Sequence, residues 1–541
     1  MECHSIPYTQ IPQVSPLFRD YLYNYSQVSE FYPLNPFEKE SFHAAARSLQ
    51  YSNEMRRAVT TVLWEQNQRL SASEKTCESL RKLEQPGCFA VVTGQQVGLF
   101  TGPAFAIYKA LTAVQLAQSL SQQGLPSVPV FWLATEDHDL EEVNHSFIQD
   151  REGNPQRLEY AGASPSEEAP VGSLHFTEAI RKPLEALSEF LPDTPDKEEL
   201  VRTITECYRP GESFGTAFYR LMARLFAEFG VILVDPMDPR LHRLSSQVFR
   251  VVIESTPGIL EELLERNQLL LGKGYHTQVR VHQNSTLLFY LANGHRAALR
   301  FADGRFTLAE GPSFTPAELL RQLDQEPEIF SPNVLLRPIM QDALLPTVAY
   351  VGGPSELAYL AQAGTLYQRI LGRMPVLLPR ASFTILDRPA NRLLDKYKLT
   401  LIDVYAGKQA LREKMAARFL PPSLTEVFQK AKRDLENNLS SLQNELAQLD
   451  PTLADATINS GEKMHYQLFN LERKATLAVQ NRTEQIERDA ERLENSLYPQ
   501  KISQERFYSG ISYLARYGPQ FLKGISQQIS LQTHDHQLIT L

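Results

Sequence analysis

The chain has 541 residues, of which 43% are hydrophobic and 22% charged, an ordinary globular composition. One hydrophobic core stops growing near about 250–300 residues, so two or three structural units are expected. A net charge of −9 gives no support for nucleic-acid binding through a global basic field, although small local basic patches stay open.

The opening MECHSIPYTQ has neither a basic n-region nor a long apolar h-region, so no secretory signal is expected. No apolar run approaches the roughly 20 residues of a membrane-spanning helix, and no membrane partner is expected. Cys3, Cys77, Cys88 and Cys207 are scattered, without a C-x-x-C pair or a zinc-ligand spacing. That usage fits a reducing cytosol. Each reads as a buried or incidental thiol rather than a nucleophile.

In chain order, Asn35-Pro36-Phe37-Glu38 sets an N-cap, a first-turn proline and an N3 acid, predicting a helix toward Gln50. Residues 88–93 are short, apolar and β-branched, and the run stops at Gly94. A helical pattern over 104–122 follows, with Ile107, Leu111, Val114 and Leu120 among its apolar positions, and then a second apolar run over 128–134. Strand, helix, strand with wholly apolar strands predicts a βαβ unit in a buried parallel sheet. Ligands bind such sheets at the carboxyl ends of the strands, so residues 93–102 and 135–139 should face one cleft.

Residues 150–195 turn polar and rich in Pro, Gly and Ser, which reads as an insertion rather than another sheet strand. Sheet material returns in GVILVDP, residues 230–236, after an amphipathic helix over 214–229. A further insertion covers roughly 257–327 and holds a predicted antiparallel meander with turns at Asn293-Gly294 and Asp303-Gly304. Residues 347–353 and 374–379 bring the parallel strands to four or five, making the core α/β.

After about residue 390 the pattern changes. Pro421-Pro422 precede the capping box Ser423-Leu424-Thr425-Glu426, and apolar residues recur every three or four positions from Leu424 to Leu449. Asp450-Pro451 opens a second helix whose stripe runs through Leu468, Leu471, Ala475, Ala478, Ile486, Ala490, Leu493 and Leu497. At 1.5 Å per residue these helices would span about 40 Å and up to about 65 Å. The pattern fits an intramolecular arm and a dimerisation element equally. From Tyr498 the coiled-coil pattern ends, and the closing segment is expected to fold back on the core.

Gly94, Gly98 and Gly102 are spaced four apart, which matches neither the dinucleotide fingerprint nor a P-loop. They still permit close backbone approach to a ligand. Thr93, Gln95, Gln96 and Thr101 add side-chain donors, and the N-terminus of the following helix favours phosphate or carboxylate. The alternative is a tight strand-to-helix turn with satisfied amides. Lys109 either reaches the same anion or is a solvated helix lysine.

Glu136, Asp137, His138 and Asp139 crowd ionisable groups into one loop, which suits acid/base work or Mg²⁺ held together with nucleotide phosphates. Asp139, Glu141 and Glu142 also suit the first turn of a helix. His138 and His145 would lie two turns apart on one helix face, wider than a usual zinc pair, so no zinc is expected. Three later groups should reach the same rim: Arg337 in SPNVLLRP, the glycine turn Gly352-Gly353-Pro354-Ser355-Glu356, and Arg380 after Pro379. An arginine in such a place can clamp a carboxylate bidentately or form a structural salt bridge.

The segments TGQQVGLFTGP (93–103), FWLATEDHDLEEVN (131–144, ending at Asn144), FSPNVLLRPIMQ (330–341), AYVGGPSE (349–356) and Pro379-Arg380 resemble those of the bacillithiol-synthesis cysteine ligases of the BshC type. Gln504-Glu505-Arg506 and Arg516-Tyr517-Gly518-Pro519 extend the resemblance over nearly the full length. Thr135 departs from the glycine expected before the acidic cluster and should crowd the loop slightly.

The resemblance implies a Rossmann-like core over 1–390 with two inserted connecting segments, about 150–200 and 257–327. It further implies a coiled-coil domain over 391–498 serving as a homodimer interface, a segment 499–541 returning to the core, and a cytoplasmic enzyme. The implied reaction, the last step of bacillithiol synthesis, joins L-cysteine to the amine of glucosaminyl malate. An amine does not displace hydroxide from a carboxylate, so the cysteine carboxyl must be activated, most simply by ATP with ADP or AMP released and Mg²⁺ as a companion ion. On this reading Gly94, Gln95, Gln96, Gly98, Thr101 and Gly102 form the anion cradle, and Asp137 or His138 is the base with Glu136 beside it. Asn333 and Arg337 anchor substrate, while Lys109, Asn144, Gly353, Glu356 and Arg380 complete the binding set. The alternatives are a nucleotidyltransferase or amide ligase for another carboxylic acid, and a non-catalytic coiled-coil partner protein.

Overall fold

The computed structural model describes residues 2–162, 169–292, 295–309, 311–418, 422–480, 484–532 and 534–541. Two compact units divide the chain: Met1–Thr384 with Glu505–Ile539, and Ile385–Gln504 with Thr540–Leu541.

The first unit is built on five parallel strands: β1 (Phe89–Gln95), β2 (Ser127–Leu133), β3 (Ile232–Val234), β4 (Thr347–Gly352) and β5 (Val376–Pro379). Their spatial order is β3-β2-β1-β4-β5, with every pairing parallel. This is the doubly wound order, in which the chain reverses direction of travel between β1 and β4. Both faces of the sheet are covered, which is why the strands are mostly apolar. Val91, Val348, Val351 and Val376 pack on Ala113, Leu116 and Leu120 of helix α1 (Phe105–Gln122). Ala90, Val92, Val130, Trp132 and Ile232 face the opposite core, which also takes Leu241, Phe249 and Ile253 of α2 (Pro239–Gly272).

Several sequence boundaries move. β1 continues through Gly94 to Gln95, because Gly94 and Gln95 pair with Trp132 and Leu133. Glycine is required there, since a Cβ on Gly94 would lie 2.6 Å from the Trp132 carbonyl oxygen. The helix expected from Asn35 starts at Lys39, while the Asn35 side chain accepts the Phe37 N–H and donates to Glu38, closing a turn ahead of it. His138 and His145 share no helix: only Leu140–Val143 is helical, and His145 opens a strand, His145–Gln149, paired antiparallel with Pro155–Glu159. The second insertion does not begin at Pro257, which lies inside the 34-residue α2.

The meander is formed by Ser285–Ala292, His295–Ala302 and Arg305–Thr307. Its Asp303-Gly304 turn has φ of 51° and 75°, the left-handed pair of a two-residue hairpin loop. The turn expected at Asn293-Gly294 lies outside the described residues, as does Pro421. Two further helices frame the site: α3 (Arg337–Leu344) and α4 (Pro354–Ile370).

The second unit carries α5 (Pro422–Leu449) and α6 (Pro451–Gln480), 28 and 30 residues long, or roughly 42 and 45 Å. Asp450 makes the reversal between them by accepting the Thr452 N–H at 2.8 Å. Lys432 pairs with Glu472 at 2.6 Å, and Gly461 lets Leu439 approach, so the two helices pack antiparallel. Residues 481–483 lie outside the described set, and Glu484–Leu497 forms a further helix. Apolar side chains remain exposed along the pair, among them Val427, Leu442, Tyr466, Phe469 and Leu471. No helix among the described residues is long and apolar enough to cross a membrane.

Candidate active site at the strand switch point

The carboxyl ends of β1 and β4 open into a cleft of about 390 Å³, at the point where the strand order reverses. Open α/β sheets bind their ligands there, because the loops after neighbouring strands diverge to opposite faces and leave a crevice. The Thr93 hydroxyl donates to the Val351 carbonyl at 2.8 Å and ties the two strand ends together.

The floor is a buried charge network. Lys109, pointing back from α1, donates to the Gly94 carbonyl and to Gln95 Oε1 at 3.1 Å, and its Nζ lies 2.6 Å from Glu356 Oε2. Glu356 also accepts the Tyr350 hydroxyl at 2.6 Å and the Gly353 N–H at 2.8 Å. Burial pushes the Glu356 carboxyl up, but Lys109 and these donors outweigh it and hold it below the usual carboxylate range. Lys109 is therefore neither a solvated lysine nor a free anion ligand.

The anion cradle expected over 94–102 is closed. The Gly98 N–H donates to the Gln96 carbonyl, the Gly102 N–H to the Leu99 carbonyl, and the Phe100 N–H to the Tyr208 hydroxyl. Thr101 is buried, with its hydroxyl on the Gly102 carbonyl and Ser509. A Cβ on Gly98 would lie 2.8 Å from the Gly102 Cα, so these glycines serve chain-on-chain packing. The N-terminus of α1 is also covered, because the Ala104 N–H donates to the Tyr508 carbonyl. Gly98, Thr101 and Gly102 thus do not line the cleft, and with its amides taken inside the chain the turn does not fit a phosphate group. Gly94, Gln95 and Gln96 do line the cleft.

The acidic loop splits between two sides. Asp137 lines the cleft, accepting Gln96 Nε2 at 2.7 Å and the His138 N–H at 2.8 Å. The same Gln96 nitrogen reaches Glu142 at 2.8 Å. Glu136 points away into the protein, 3.0 Å from His242 Nε2, while His242 Nδ1 lies 2.8 Å from the Phe330 carbonyl. A carbonyl only accepts, so Nδ1 must carry a proton and the remaining proton sits between His242 and Glu136. Burial lowers the His242 pKa, but Glu136 and the carbonyl together raise it above the ordinary value.

His138 Nδ1 lies 3.0 Å from Arg296, whose guanidinium also donates to Ser331 and the Pro332 carbonyl and stacks on Phe289 at 3.8 Å. Arginine has no acceptor, so His138 Nδ1 accepts and the neutral ring carries its proton on Nε2. Neither Glu136 nor His138 lines the cleft, and Asp137 alone of the three expected catalytic residues does. Among the described residues no three His, Cys, Asp or Glu side chains form a group that could hold a metal ion.

The other expected ligands divide similarly. Arg337 lines the cleft and donates to the Tyr359 hydroxyl at 2.7 Å, and Gly353 and Glu356 line it too. Asn333 does not line the cleft: its Oδ1 accepts the Leu335 and Leu336 N–H groups, both at 3.0 Å, and turns the chain into α3. Asn144 is a loop residue, bonded through its side chain to His145 and through its carbonyl to the Tyr160 N–H. Arg380 reaches the cleft but is held by Glu505 in a bidentate pair at 2.9 and 2.7 Å.

Thr135 stands clear of the cleft, donating to Asp235 at 2.6 Å. The bulk it adds is met by Gly172, where any Cβ would fall 2.5 Å from that of Thr135. Phe105, Tyr359 and Arg506, none of which the sequence reading had assigned to the site, also line the cleft. Tyr359 carried one usable signal, lying one turn beyond Glu356 on the same helix face; Arg506 lay in the Gln504-Glu505-Arg506 motif without a role, since only the fold brings it to the cleft.

A doubly wound sheet, a polar cleft at its switch point and a separate antiparallel helix pair define an enzyme with a Rossmann-like core and a coiled-coil domain. Residues 1–381 match the family described as bacillithiol biosynthesis BshC, N-terminal Rossmann-like domain, and residues 383–541 match its C-terminal coiled-coil domain. The chain belongs to the bacillithiol biosynthesis BshC family, and its membership makes it an enzyme of the ligase type.

Curated relatives share its whole length. A protein of Solibacter usitatus named "Putative cysteine ligase BshC" is 39% identical over 541 residues, all of both chains. One of the same name from Koribacter versatilis is 40% identical over 513 residues, 95% of each chain. Another from Salinibacter ruber is 33% identical over 540 residues, 99% of this chain and 98% of that one.

Proposed function

We infer that this protein joins L-cysteine to the amine of glucosaminyl malate, forming bacillithiol as the last step of its synthesis, in the cytoplasm and as a homodimer. The observation that carries the reading is the pairing of opposite chemistries in one cleft. A carboxylate, Asp137, lines the cleft together with Arg337, an arginine that makes no direct carboxylate ion pair among the described residues. An acceptor with an amine at one end and carboxylates at the other fits such a pair of groups.

In the proposed chemistry Arg337 holds a malate carboxylate with charge-assisted hydrogen bonds. Asp137 faces the sugar ammonium and takes its proton, leaving a lone pair that attacks the activated cysteine carbonyl. The C–N bond forms as the activating group leaves with its electron pair. Gln96 fixes the Asp137 rotamer, and the Lys109–Glu356 pair holds the floor rigid. ATP, with Mg²⁺, remains the proposed source of activation; the Gly94–Gly102 turn is not its cradle, and no residue is assigned to it. The exposed apolar stripe of α5 and α6 supports the homodimer.

The test is incubation of the purified protein with glucosaminyl malate, L-cysteine and ATP, with bacillithiol followed by mass. Product formed from these three and lost without any one supports the reading. Product from a different amine or acid in preference would move the assignment to another amide ligase.

A further inference from the structure

Four cationic side chains meet at the inner end of the cleft: Lys109, Arg337, Arg380 and Arg506. Two of them are neutralised by buried carboxylates. Lys109 pairs with Glu356, and Arg380 with Glu505, which also accepts the Ser382 hydroxyl and the Phe383 N–H. Asp137 and Glu142 are both bonded to Gln96. That leaves two guanidiniums without a direct carboxylate ion pair among the described residues, Arg337 on the Tyr359 hydroxyl and Arg506, which lies 5.9 Å from the centre of the Phe105 ring. Phe105 carries Arg380 at 5.2 Å as well, so one aromatic ring supports two like charges. Burial, and then the charge of Arg380, make the Arg506 proton easier to lose than usual, the condition of a cation short of a counter-ion.

We propose that Arg506 is the specificity-determining residue of this cleft: with Arg337 it forms a receptor for two carboxylates and selects a dicarboxylate acceptor over a monocarboxylate one. The proposal rests on the reading of the cleft as the glucosaminyl malate site and names which residue reads the second carboxylate. Two guanidiniums that make no direct carboxylate ion pair among the described residues match a dianion in number. A planar guanidinium beside an aromatic ring is oriented before the ligand arrives, so little freedom is lost on binding. A monocarboxylate would satisfy Arg337 and leave Arg506 as it stands in the free protein.

Calorimetric titration of the full-length protein with glucosaminyl malate, and with the analogue carrying lactate in place of malate, tests this. The wild type is expected to bind the malate compound about 10- to 100-fold more tightly, the range of one hydrogen-bonded charge pair. In Arg506→Gln that preference should collapse, with affinity for the lactate analogue and the melting temperature unchanged; KM for glucosaminyl malate should rise while kcat stays within a few-fold. Arg506→Lys should keep part of the preference, because charge survives and the planar fork does not. A preference retained in Arg506→Gln overturns this inference and leaves the ligase reading intact. Failure of the wild type to bind either glucosaminide overturns the reading of the cleft and this inference with it.

Discussion

Lys109 Nζ and Glu356 Oε2 lie 2.6 Å apart beneath the cleft, joining the helix that follows β1 to the helix that follows β4. Each half of the doubly wound sheet supplies one charge, so the pair fixes the switch point itself. Removing either partner leaves a buried charge alone, which typically costs about 3–5 kcal/mol. Lys109→Met and Glu356→Gln should each lower the denaturation midpoint and abolish ligation. The double variant should be less destabilised than the sum of the two, as a double-mutant cycle by chemical denaturation would reveal.

Asp137 and His138 should separate kinetically. Asp137→Asn preserves shape and the contact with Gln96 but cannot take a proton, so turnover should fall about 10²- to 10⁴-fold with acceptor binding retained. His138→Ala removes a ring whose Nδ1 is already engaged by Arg296, and turnover should fall far less. Single-turnover rates for the two variants make the comparison. Equal losses would return His138 to the chemistry.

His536 gives the first unit an acid-sensitive point. The imidazole is wedged between Ser382 at 2.7 Å and Thr384 at 2.8 Å, and burial pushes its pKa down to about 4. The unfolded chain protonates this histidine near 6.5, so as pH falls from about 6.5 toward 4 the unfolded state binds the extra proton and stability drops. Glu356 and Glu505 act lower: both carboxyls are held below their unfolded value, so the stability they contribute is present above about 4.3 and lost as pH falls through their folded values. Unfolding midpoints at pH 7 and pH 5 should therefore differ in the wild type. The difference should shrink in His536→Asn.

The outer stripe of α5 and α6 is the expected dimer contact. Phe469→Glu with Leu442→Glu introduces charge where two apolar side chains are more than half exposed. Sedimentation should show the wild type as a dimer and the variant as a monomer with unchanged helical content. A wild type that sediments as a monomer at micromolar concentration would make the stripe an intramolecular feature.

The parallel strands were legible because burial on both faces leaves them mostly apolar, with polar residues only at or near their ends, and α1 because its apolar residues keep helical spacing from Ile107 to Leu120. The direction of each side chain in the acidic loop was not. Glu136, Asp137 and His138 are consecutive in irregular backbone, where no period says which faces inward, and the partners that draw two of them away, His242 of α2 and Arg296 of the meander, lie far off in sequence. The glycines of 94–102 showed that something approaches closely there; that it is the chain itself, through Gly102 and Tyr208, depended on contacts far apart in sequence.

Residues 505–539 belong to the same compact unit as residues up to 384, with the helix-pair segment between them. A ribosome therefore releases the sheet long before it releases the segment that supplies Glu505 to Arg380 and Arg506 to the cleft. The nascent first unit must wait, with Arg380 lacking its counter-ion, until residue 505 has been made. Any protein ending after β5 but before residue 505, whether by nonsense mutation or proteolysis, would keep its five parallel strands and lose Glu505, the partner of Arg380, and Arg506 from the cleft.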